Sequence, residues 1–256
     1  MIAETLQQIA TLPLTGKPFR RFVRSSVSLW SRAGRCRAAW AEHEMRSQKA
    51  MLDAMADLTQ RRTAVVLGSG LLRDVPIVEL SQAFDTVVLV DLVHLASLRL
   101  WLKARRLGNV RLIERDLSGY DQLAAGKALE PLGFLRQVPY LDLVVSANLL
   151  SQIGRGVQRR LSEDSKGTMP ADAAARLVGA HLADLAVLPC RSCLVTDIAY
   201  AVIDRTGKIH EQADLLLGIA PPEAIERWTW PVAPLGEESR DYQIVHQVIA
   251  ARLSRG

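Results

Sequence analysis

A short glycine-containing turn is the first place in the chain where residue types and spacing indicate chemistry. Gly68, Ser69 and Gly70 directly follow an apolar run, residues 63–67. Glycine reaches positive φ angles without strain, and the missing Cβ lets a ligand approach the backbone closely. The turn is therefore predicted to contact a ligand. The alternative is a tight strand-to-helix turn that binds nothing.

Two aspartates follow the next two apolar runs. Asp91 closes the run 86–90 and stands 21 residues after Gly70, whereas Asp116 comes just after the run 110–113. An acidic side chain at the end of the second strand of a nucleotide-binding sheet accepts hydrogen bonds from ribose hydroxyls. The three successive turns thus present groups suited to a nucleoside.

The fourth apolar run, residues 141–145, is followed by Ser146, Ala147 and Asn148. Hydroxyl and amide groups can position a nitrogen or oxygen atom of a ligand through hydrogen bonds. Asn148 and Ser151 would equally serve to cap the next helix. Trp228 and Trp230 share one face of a later strand, where they either stack on a planar acceptor or belong to the core.

These residues need a scaffold that brings the ends of several strands to one edge. Runs of four to six apolar residues without polar alternation are typical of parallel strands buried on both faces. The segments between them have helical spacing, and the last two runs predict an antiparallel hairpin. The fold class is α/β, doubly wound and mostly parallel. The predicted strands are residues 63–67, 86–90, 110–113, 141–145, 193–196, 225–232 and 242–253, and the predicted helices are residues 19–60, 76–84, 94–107 and 171–188.

This layout resembles a class I S-adenosylmethionine-dependent methyltransferase, with a Rossmann-like domain over residues 61–256 behind an N-terminal helical, basic segment, residues 1–60. The resemblance implies a seven-stranded sheet, S-adenosylmethionine as cofactor and methyl transfer to an acceptor that these residues do not define. It also implies which part of the cofactor each candidate residue lies near. Gly68, Ser69 and Gly70 form the glycine loop, Asp91 and Leu92 lie at the ribose, Asp116 and Leu117 at the adenine, and Ser146 and Asn148 near the methionine and the acceptor.

The glycine turn departs from the pattern of that family in two places. Val66 stands where an acidic residue often precedes the first glycine, and Leu72 stands where a third glycine is common. These departures favour an alternative, a non-catalytic binding module with a methyltransferase-like fold that contacts a partner through its basic N-terminal helix. A nicotinamide-dependent oxidoreductase is the more distant alternative, because Arg73 replaces the last glycine of its fingerprint.

The basic charge of the chain is concentrated in one segment. The protein has 256 residues, 49% of them hydrophobic, and a formal net charge of +5. Residues 17–46 contain eight basic and two acidic residues, a net +6, so the remainder is slightly acidic. Mixed basic and aromatic residues at 19–24 suit an anionic lipid surface or a nucleic-acid backbone. We expect a solvated face instead, with nucleic acid not favoured and peripheral membrane contact left open.

Cysteine usage and hydropathy favour a cytoplasmic protein without a membrane span. The three cysteines, Cys36, Cys190 and Cys193, are too few for a disulfide framework. Cys190 and Cys193 form a single C-x-x-C motif, whereas a structural zinc site needs four ligands. We therefore expect this segment to begin a strand and to bind no metal. Neither a G-x-S-x-G elbow nor a P-loop lysine is present.

Overall fold

A mixed sheet of eight strands forms the centre of the protein, which we describe from a computed structural model for residues 2–163 and 169–253. The strands are β1 (Thr63–Leu67), β2 (Thr86–Asp91), β3 (Val110–Glu114), β4 (Leu141–Ala147), β5 (Arg191–Asp204), β6 (Ile209–Asp214), β7 (Glu226–Ala233) and β8 (Tyr242–Arg252). Seven of them lie in the order β3-β2-β1-β4-β5-β8-β7.

The direction of the strands confirms the predicted fold class. The first five strands of the chain pair in parallel, and β8 pairs antiparallel with both β5 and β7. Strands β2 and β3 lie on one side of β1, and β4 and β5 lie on the other, so the strand order reverses at β1. Such a reversal leaves a crevice at the carboxyl ends of the strands, where open α/β sheets bind their ligands.

Strand β6 is an element that the sequence pattern does not predict. In the structure β5 continues well past its pairing with β4, and β6 pairs antiparallel with this extension through residues 209–214. All six residues of β6 are exposed. A strand that buries no side chain leaves no apolar pattern in the sequence, which is why the sequence does not predict β6.

Helices cover both faces of the sheet, as a parallel sheet requires. Ala64 and Val66 belong to one apolar cluster and Val65 and Leu67 to the other, since side chains alternate along a strand. The helices are α1 (Ile2–Thr11), α2 (Val23–Arg35), α3 (Arg37–Met55), α4 (Ile77–Ala83), α5 (Ala96–Ala104), α6 (Tyr120–Ala124), α7 (Leu150–Glu163) and α8 (Ala173–Ala186), with short 3-10 segments at Leu12–Leu14, Lys17–Phe22 and Gly133–Gln137.

The predicted helix over residues 19–60 is broken at Cys36 into α2 and α3. Ala33, Cys36 and Trp40 are buried together against Trp230, which turns the chain at this point. The break lets α3 lie along the sheet while α2 reaches toward the carboxyl ends of the strands. Helix α7, which is not among the helices that the sequence pattern predicts, ends at Glu163, and residues 164–168 lie outside the described part of the chain.

Ion pairs hold the basic N-terminal segment to the end of the sheet. Arg35 donates two hydrogen bonds to Glu237, at 3.1 and 2.6 Å, and Arg32 pairs with both Glu237 and Glu238. Arg46 pairs with Glu226 at 2.7 Å. Three of the eight basic residues of segment 17–46 are therefore paired with acidic residues of the C-terminal strands and turn. None of the helices in the described residues combines the length and hydropathy needed to cross a bilayer.

Candidate functional site

A cavity of about 360 Å³ lies at the carboxyl ends of the first three strands. The loops after β1, β2 and β3 form its floor, and helices α2 and α7 form its walls. Its position is the one that the strand order predicts for a ligand. The floor contains six of the candidate residues, Gly68, Gly70, Asp91, Leu92, Asp116 and Leu117, and the walls include Phe22, Leu29, Ile153, Gly156 and Arg160.

The glycine turn has the left-handed backbone that the sequence predicts. The φ angles of Gly68 and Gly70 are +72° and +49°. A Cβ on Gly68 would lie 2.9 Å from the carbonyl oxygen of Ala147, closer than such atoms approach in proteins. The Gly68 N–H donates to the carbonyl of Val90 at 2.9 Å. The missing side chain therefore brings the loops after β1, β2 and β4 together.

Asp91 is enclosed by protein and touches the cavity with its remaining surface. Its Oδ2 accepts a hydrogen bond from the Gly70 N–H and its Oδ1 accepts one from the Leu92 N–H, both at 2.7 Å. Burial raises the pKa of this carboxyl, and the Gly70 N–H opposes the shift. Each carboxylate oxygen has a second lone pair. Asp91 can thus brace the glycine turn and still accept a hydrogen bond from a ligand hydroxyl.

Asp116 already has an arginine partner. Its Oδ2 accepts a hydrogen bond from Arg160 of α7 at 3.1 Å, and its Oδ1 accepts one from the Ser118 N–H at 2.9 Å. The Arg160 guanidinium also lies 4.7 Å from the ring centroid of Tyr120 and 5.8 Å from that of Phe22. Each oxygen of Asp116 thus accepts one hydrogen bond, as in Asp91, and keeps a second lone pair.

Two of the candidate residues lie behind the cavity instead of lining it. Ser69 is fully buried between the two glycines, and its hydroxyl has no hydrogen-bond partner among the described residues. Ser146 is also fully buried, and its Oγ lies 3.1 Å from Nε2 of His181. Burial lowers the pKa of His181 to about 4, so the imidazole is neutral near pH 7. Neither serine reaches the surface of the cavity.

Asn148, the third such candidate, faces a different set of side chains. Its Nδ2 donates a hydrogen bond to Oδ2 of Asp74 at 2.6 Å and lies 3.2 Å from Nε2 of His43. Burial raises the pKa of Asp74. The backbone of Asn148 has a φ of +49°, and its carbonyl accepts a hydrogen bond from Gln152. The Asn148 side chain therefore joins the loop after β1 to helix α3.

His43 is a residue that the sequence analysis missed. It stacks on Trp230 with ring centroids 3.9 Å apart and 5° between the planes, and its Nδ1 accepts a hydrogen bond from Trp228 Nε1 at 3.1 Å. Burial lowers its pKa to about 4. The sequence allows Trp228 and Trp230 either to stack on an acceptor or to belong to the core. In the structure both contact His43 of the same chain. We call His43, Asp74, Asn148, Trp228 and Trp230 the His43 cluster.

A sequence signal for His43 exists in the spacing of α3. The buried residues of this helix are Trp40, His43, Ser47, Met51 and Ala54, which recur every three or four positions. A polar His on the buried stripe of a helix requires a partner, because an unpaired buried polar group is costly. The pattern marks His43 as a residue with an internal contact, but its partners come from β7 and from the loop after β4.

The cysteines are free thiols, of which Cys36 and Cys193 are buried and Cys190 is half-buried. Burial raises the pKa of Cys190 and that of Cys193 to about 12, so neither is a thiolate near neutral pH. Within residues 2–163 and 169–253, no group of three or more histidine, cysteine and acidic side chains is placed to hold a metal ion.

Comparison with known proteins identifies similar folds. No family model and no curated protein matches the chain. The 1,6-didemethyltoxoflavin-N1-methyltransferase of Burkholderia thailandensis, solved with S-adenosylhomocysteine, is 16% identical, covers 88% of this chain and 86% of its own, and has a TM-score of 0.42. The N-methyltransferase NodS of Bradyrhizobium japonicum, also with S-adenosylhomocysteine, is 11% identical, with 80% and 86% covered and a TM-score of 0.37.

A third similar structure is a SAM-dependent methyltransferase of Aquifex aeolicus. It is 11% identical, covers 79% of this chain and 89% of its own, and has a TM-score of 0.33. Similarity at this level is limited to the fold and assigns no substrate or catalytic residue to this chain.

Proposed function

We propose that the protein binds S-adenosylmethionine in the cavity after β1, β2 and β3 and catalyses methyl transfer to an acceptor. The observation that supports this most is the meeting of Gly68, Gly70 and Asp91 in one cavity at the point where the strand order reverses. A left-handed glycine turn braced by a buried carboxylate suits a ligand that has both a ribose and a group lying against the backbone.

The walls of the cavity fit a nucleoside. Leu92, Leu117 and Ile153 offer apolar surface to a planar base, and Asp91 offers acceptor oxygens to ribose hydroxyls. The volume of about 360 Å³ is within the range of small-ligand sites. Phe22 and Leu29 of the N-terminal segment also line the cavity with apolar side chains. The bound cofactor would supply the electrophilic methyl group of a sulfonium ion.

The chain contributes mainly alignment. Among the described residues that line the cavity there is no histidine, and both carboxylates, Asp91 and Asp116, already accept hydrogen bonds. Alignment of a nucleophile with a reactive carbon can account for a large part of a barrier without proton transfer. An acceptor whose attacking atom is already deprotonated, or carries a free lone pair, suits this site best.

A second candidate function is ligand binding without turnover. It is favoured by the position of Asn148, which follows β4 next to the cavity but is enclosed in the His43 cluster. In this case the cavity retains the cofactor or its demethylated product, and the surface around it contacts a partner.

Calorimetric titration of the full chain with S-adenosylmethionine and S-adenosylhomocysteine tests the proposal. We expect both to bind, and Asp91→Ala to weaken binding by about 1–3 kcal/mol, because a charged acceptor for the ribose is lost. The exposed Asp121 of α6 provides the control Asp121→Ala, which should bind normally. No heat from either ligand at millimolar concentration would reject both candidate functions.

A variant that fills the cavity tests its position without touching the glycine turn. Gly156 lines the cavity from α7, and a Cβ there has no atom within 4 Å. Gly156→Leu should therefore fold and should abolish binding. A Cβ at Gly34 of α2 also has no atom within 4 Å, and Gly34 lies outside this cavity, so Gly34→Leu is the matched control. Binding by Gly156→Leu at the affinity of the parent chain would show that the ligand occupies another site.

A further inference from the structure

Helix α1 is packed with its polar side inward. Gln7 and Thr11 are buried, whereas Ile2, Leu6 and Ile9 are 81%, 62% and 62% exposed. The exposed residues are spaced by four and three positions, so they lie on one face of the helix. An amphipathic helix in a globular protein normally turns this face toward the core. Here the face points outward, and the rest of the described chain does not cover it.

Hydrogen bonds to helix α5 fix α1 in this orientation. The Gln7 side chain donates to the hydroxyl of Ser97, and the Ala96 N–H donates to Thr11 Oγ1 at 3.1 Å. The Thr15 hydroxyl in turn donates to the carbonyl of Thr11 at 3.1 Å. The polar side of α1 is thus satisfied against α5, and a roll that buried the apolar side would break these bonds.

The exposed apolar surface continues onto α5. Leu100 is 69% exposed and Trp101 is 38% exposed. Both follow Ser97 by three or four positions, which places them near the side of α5 that meets α1. Trp101 also shares the wall of a cavity of about 750 Å³ with Ala3 of α1. We call the combined surface of Ile2, Leu6, Ile9, Leu100 and Trp101 the apolar face.

Positive charge borders the apolar face. Residues 96–113 contain five basic residues and no acidic one. Lys103, Arg105 and Arg106 are exposed, and within the described residues they form no salt bridge. The Arg105 guanidinium lies 5.5 Å from the ring centroid of Trp101, so this cation stands directly beside the apolar residues.

The combination of charge and hydrophobicity selects the occupant. An apolar helix face bordered by lysine and arginine matches the boundary between acyl chains and headgroups in an anionic bilayer. A second copy of the chain would bring two sets of like charges together, which opposes association. We propose that the apolar face docks on anionic lipid bilayers, so that the protein binds membranes peripherally through α1 and α5. This inference is independent of the cavity and its ligand.

Co-sedimentation of the full chain with lipid vesicles tests the proposal. We expect the protein to bind vesicles that contain phosphatidylglycerol, to bind phosphatidylcholine vesicles weakly, and to dissociate as salt is raised. Leu6→Ser/Ile9→Ser should lower the partition coefficient by roughly tenfold or more, since it removes the inserted side chains. Lys103→Glu/Arg105→Glu should lower it by a similar factor on phosphatidylglycerol vesicles alone.

A matched variant separates docking from general surface hydrophobicity. Ile209 and Ile225 are 52% and 65% exposed and lie outside α1 and α5, so Ile209→Ser/Ile225→Ser should leave vesicle binding unchanged. Circular dichroism verifies that each variant is folded. Three results would overturn the proposal: no binding to anionic vesicles, equal binding by the Leu6→Ser/Ile9→Ser variant, or a dimer in solution that the same variant dissociates.

Discussion

Gly68 occupies a position where two separate effects exclude a side chain. Its φ of +72° is strained for any residue with a Cβ, and that Cβ would lie 2.9 Å from the Ala147 carbonyl and 3.1 Å from Leu149 Cβ. Both neighbours belong to the chain that leaves β4, so neither moves without disturbing the sheet edge. The turn is therefore required by the packing of the strands, whatever ligand it contacts.

Gly68→Ala should lower the free energy of unfolding by about 2–4 kcal/mol, from backbone strain of about 1–2 kcal/mol and the clash with the β4 loop. Gly207 separates the two effects, because its φ is +88° but a Cβ at this position would have no atom within 4 Å. Gly207→Ala should therefore show the strain alone. Urea denaturation measures both variants, and equal losses would mean that the β4 loop moves freely.

The candidate residues illustrate which side-chain positions a sequence can predict. Gly68, Gly70 and Asp91 follow from the ends of apolar runs and from glycine chemistry, and all three line the cavity. Ser69 and Ser146 are candidates because they neighbour such residues, yet both side chains turn to the interior. Asn148 is ambiguous in the sequence because its partner His43 is 105 positions earlier in the chain. Contacts over that distance depend on the packing of α3, which no local pattern contains.

Strands and helices, like side-chain positions, are predictable where they leave a local pattern in the sequence. The strands β1 to β4 begin and end within two residues of their predicted positions. Burial on both faces explains the apolar runs of β1 and β4, whereas β3 lies at the sheet edge and has no buried residue, so the expectation of burial on both faces is wrong for β3. The exposed strand β6 leaves no apolar run. The break between α2 and α3 lacks a proline, and a bend set by Trp40 and Trp230 cannot be predicted from helix propensity.

The docking of α2 on the turn between β7 and β8 depends on one carboxylate. The Glu237 side chain is only 9% exposed and accepts hydrogen bonds from Arg35, which hold the pKa of this carboxyl below its usual value. Glu237→Gln should lower the free energy of unfolding by about 1–2 kcal/mol, since Arg32 and Arg35 lose a shared charge partner.

The neighbouring residue supplies the control for this ion pair. Glu238 is 43% exposed and pairs with Arg32, so Glu238→Gln should cost less than about 0.5 kcal/mol. Chemical denaturation at low and high salt measures both variants. If the two substitutions cost the same, the buried position of Glu237 does not strengthen its ion pairs and α2 docks through apolar contacts alone.

Across the whole molecule, some cationic side chains are paired with carboxylates and others face outward without an acidic partner among the described residues. Arginines of α2 and α3 that contribute to the excess of residues 17–46 pair with Glu226, Glu237 and Glu238 of the C-terminal strands and turn. The exposed cations at the end of α5 lack such partners within the described chain. Five other basic residues of segment 17–46 are exposed and form no salt bridge among the described residues, so both segments contribute exposed positive charge: Lys17, Arg20, Arg21, Arg24 and Arg37. The cations beside α1 face outward without acidic partners among the described residues.

Buried histidines couple the stability of the whole molecule to pH. Burial lowers the pKa of His43 and of His181 to about 4, whereas the unfolded chain has values near 6.5. Between these values the unfolded state binds more protons, so these histidines make stability fall as the pH drops from 6.5 to 4. The raised pKa values of Asp74 and Asp91 act in the opposite direction, because their folded forms hold protons more strongly.

Substitution of a single histidine isolates one contribution from this balance. His181→Gln keeps a side chain that can hydrogen-bond Ser146 but removes the titrating group. Near pH 5, the free energy of unfolding of this variant should depend on pH less steeply than that of the parent chain, by about 1.4 kcal/mol per pH unit. Urea denaturation at several pH values between 7 and 4.5 measures both slopes.

Ser146→Ala separates the proton from the hydrogen bond. It removes the hydroxyl 3.1 Å from His181 Nε2 and leaves the imidazole in its buried position. It should lower stability by about 1 kcal/mol at pH 7 and keep the steep pH dependence of the parent chain. The free energy of unfolding of His181→Gln would keep the pH dependence of the parent chain if water reached the imidazole in the folded state. A histidine contributes to this dependence only if it stays unprotonated in the folded state and is protonated in the unfolded state.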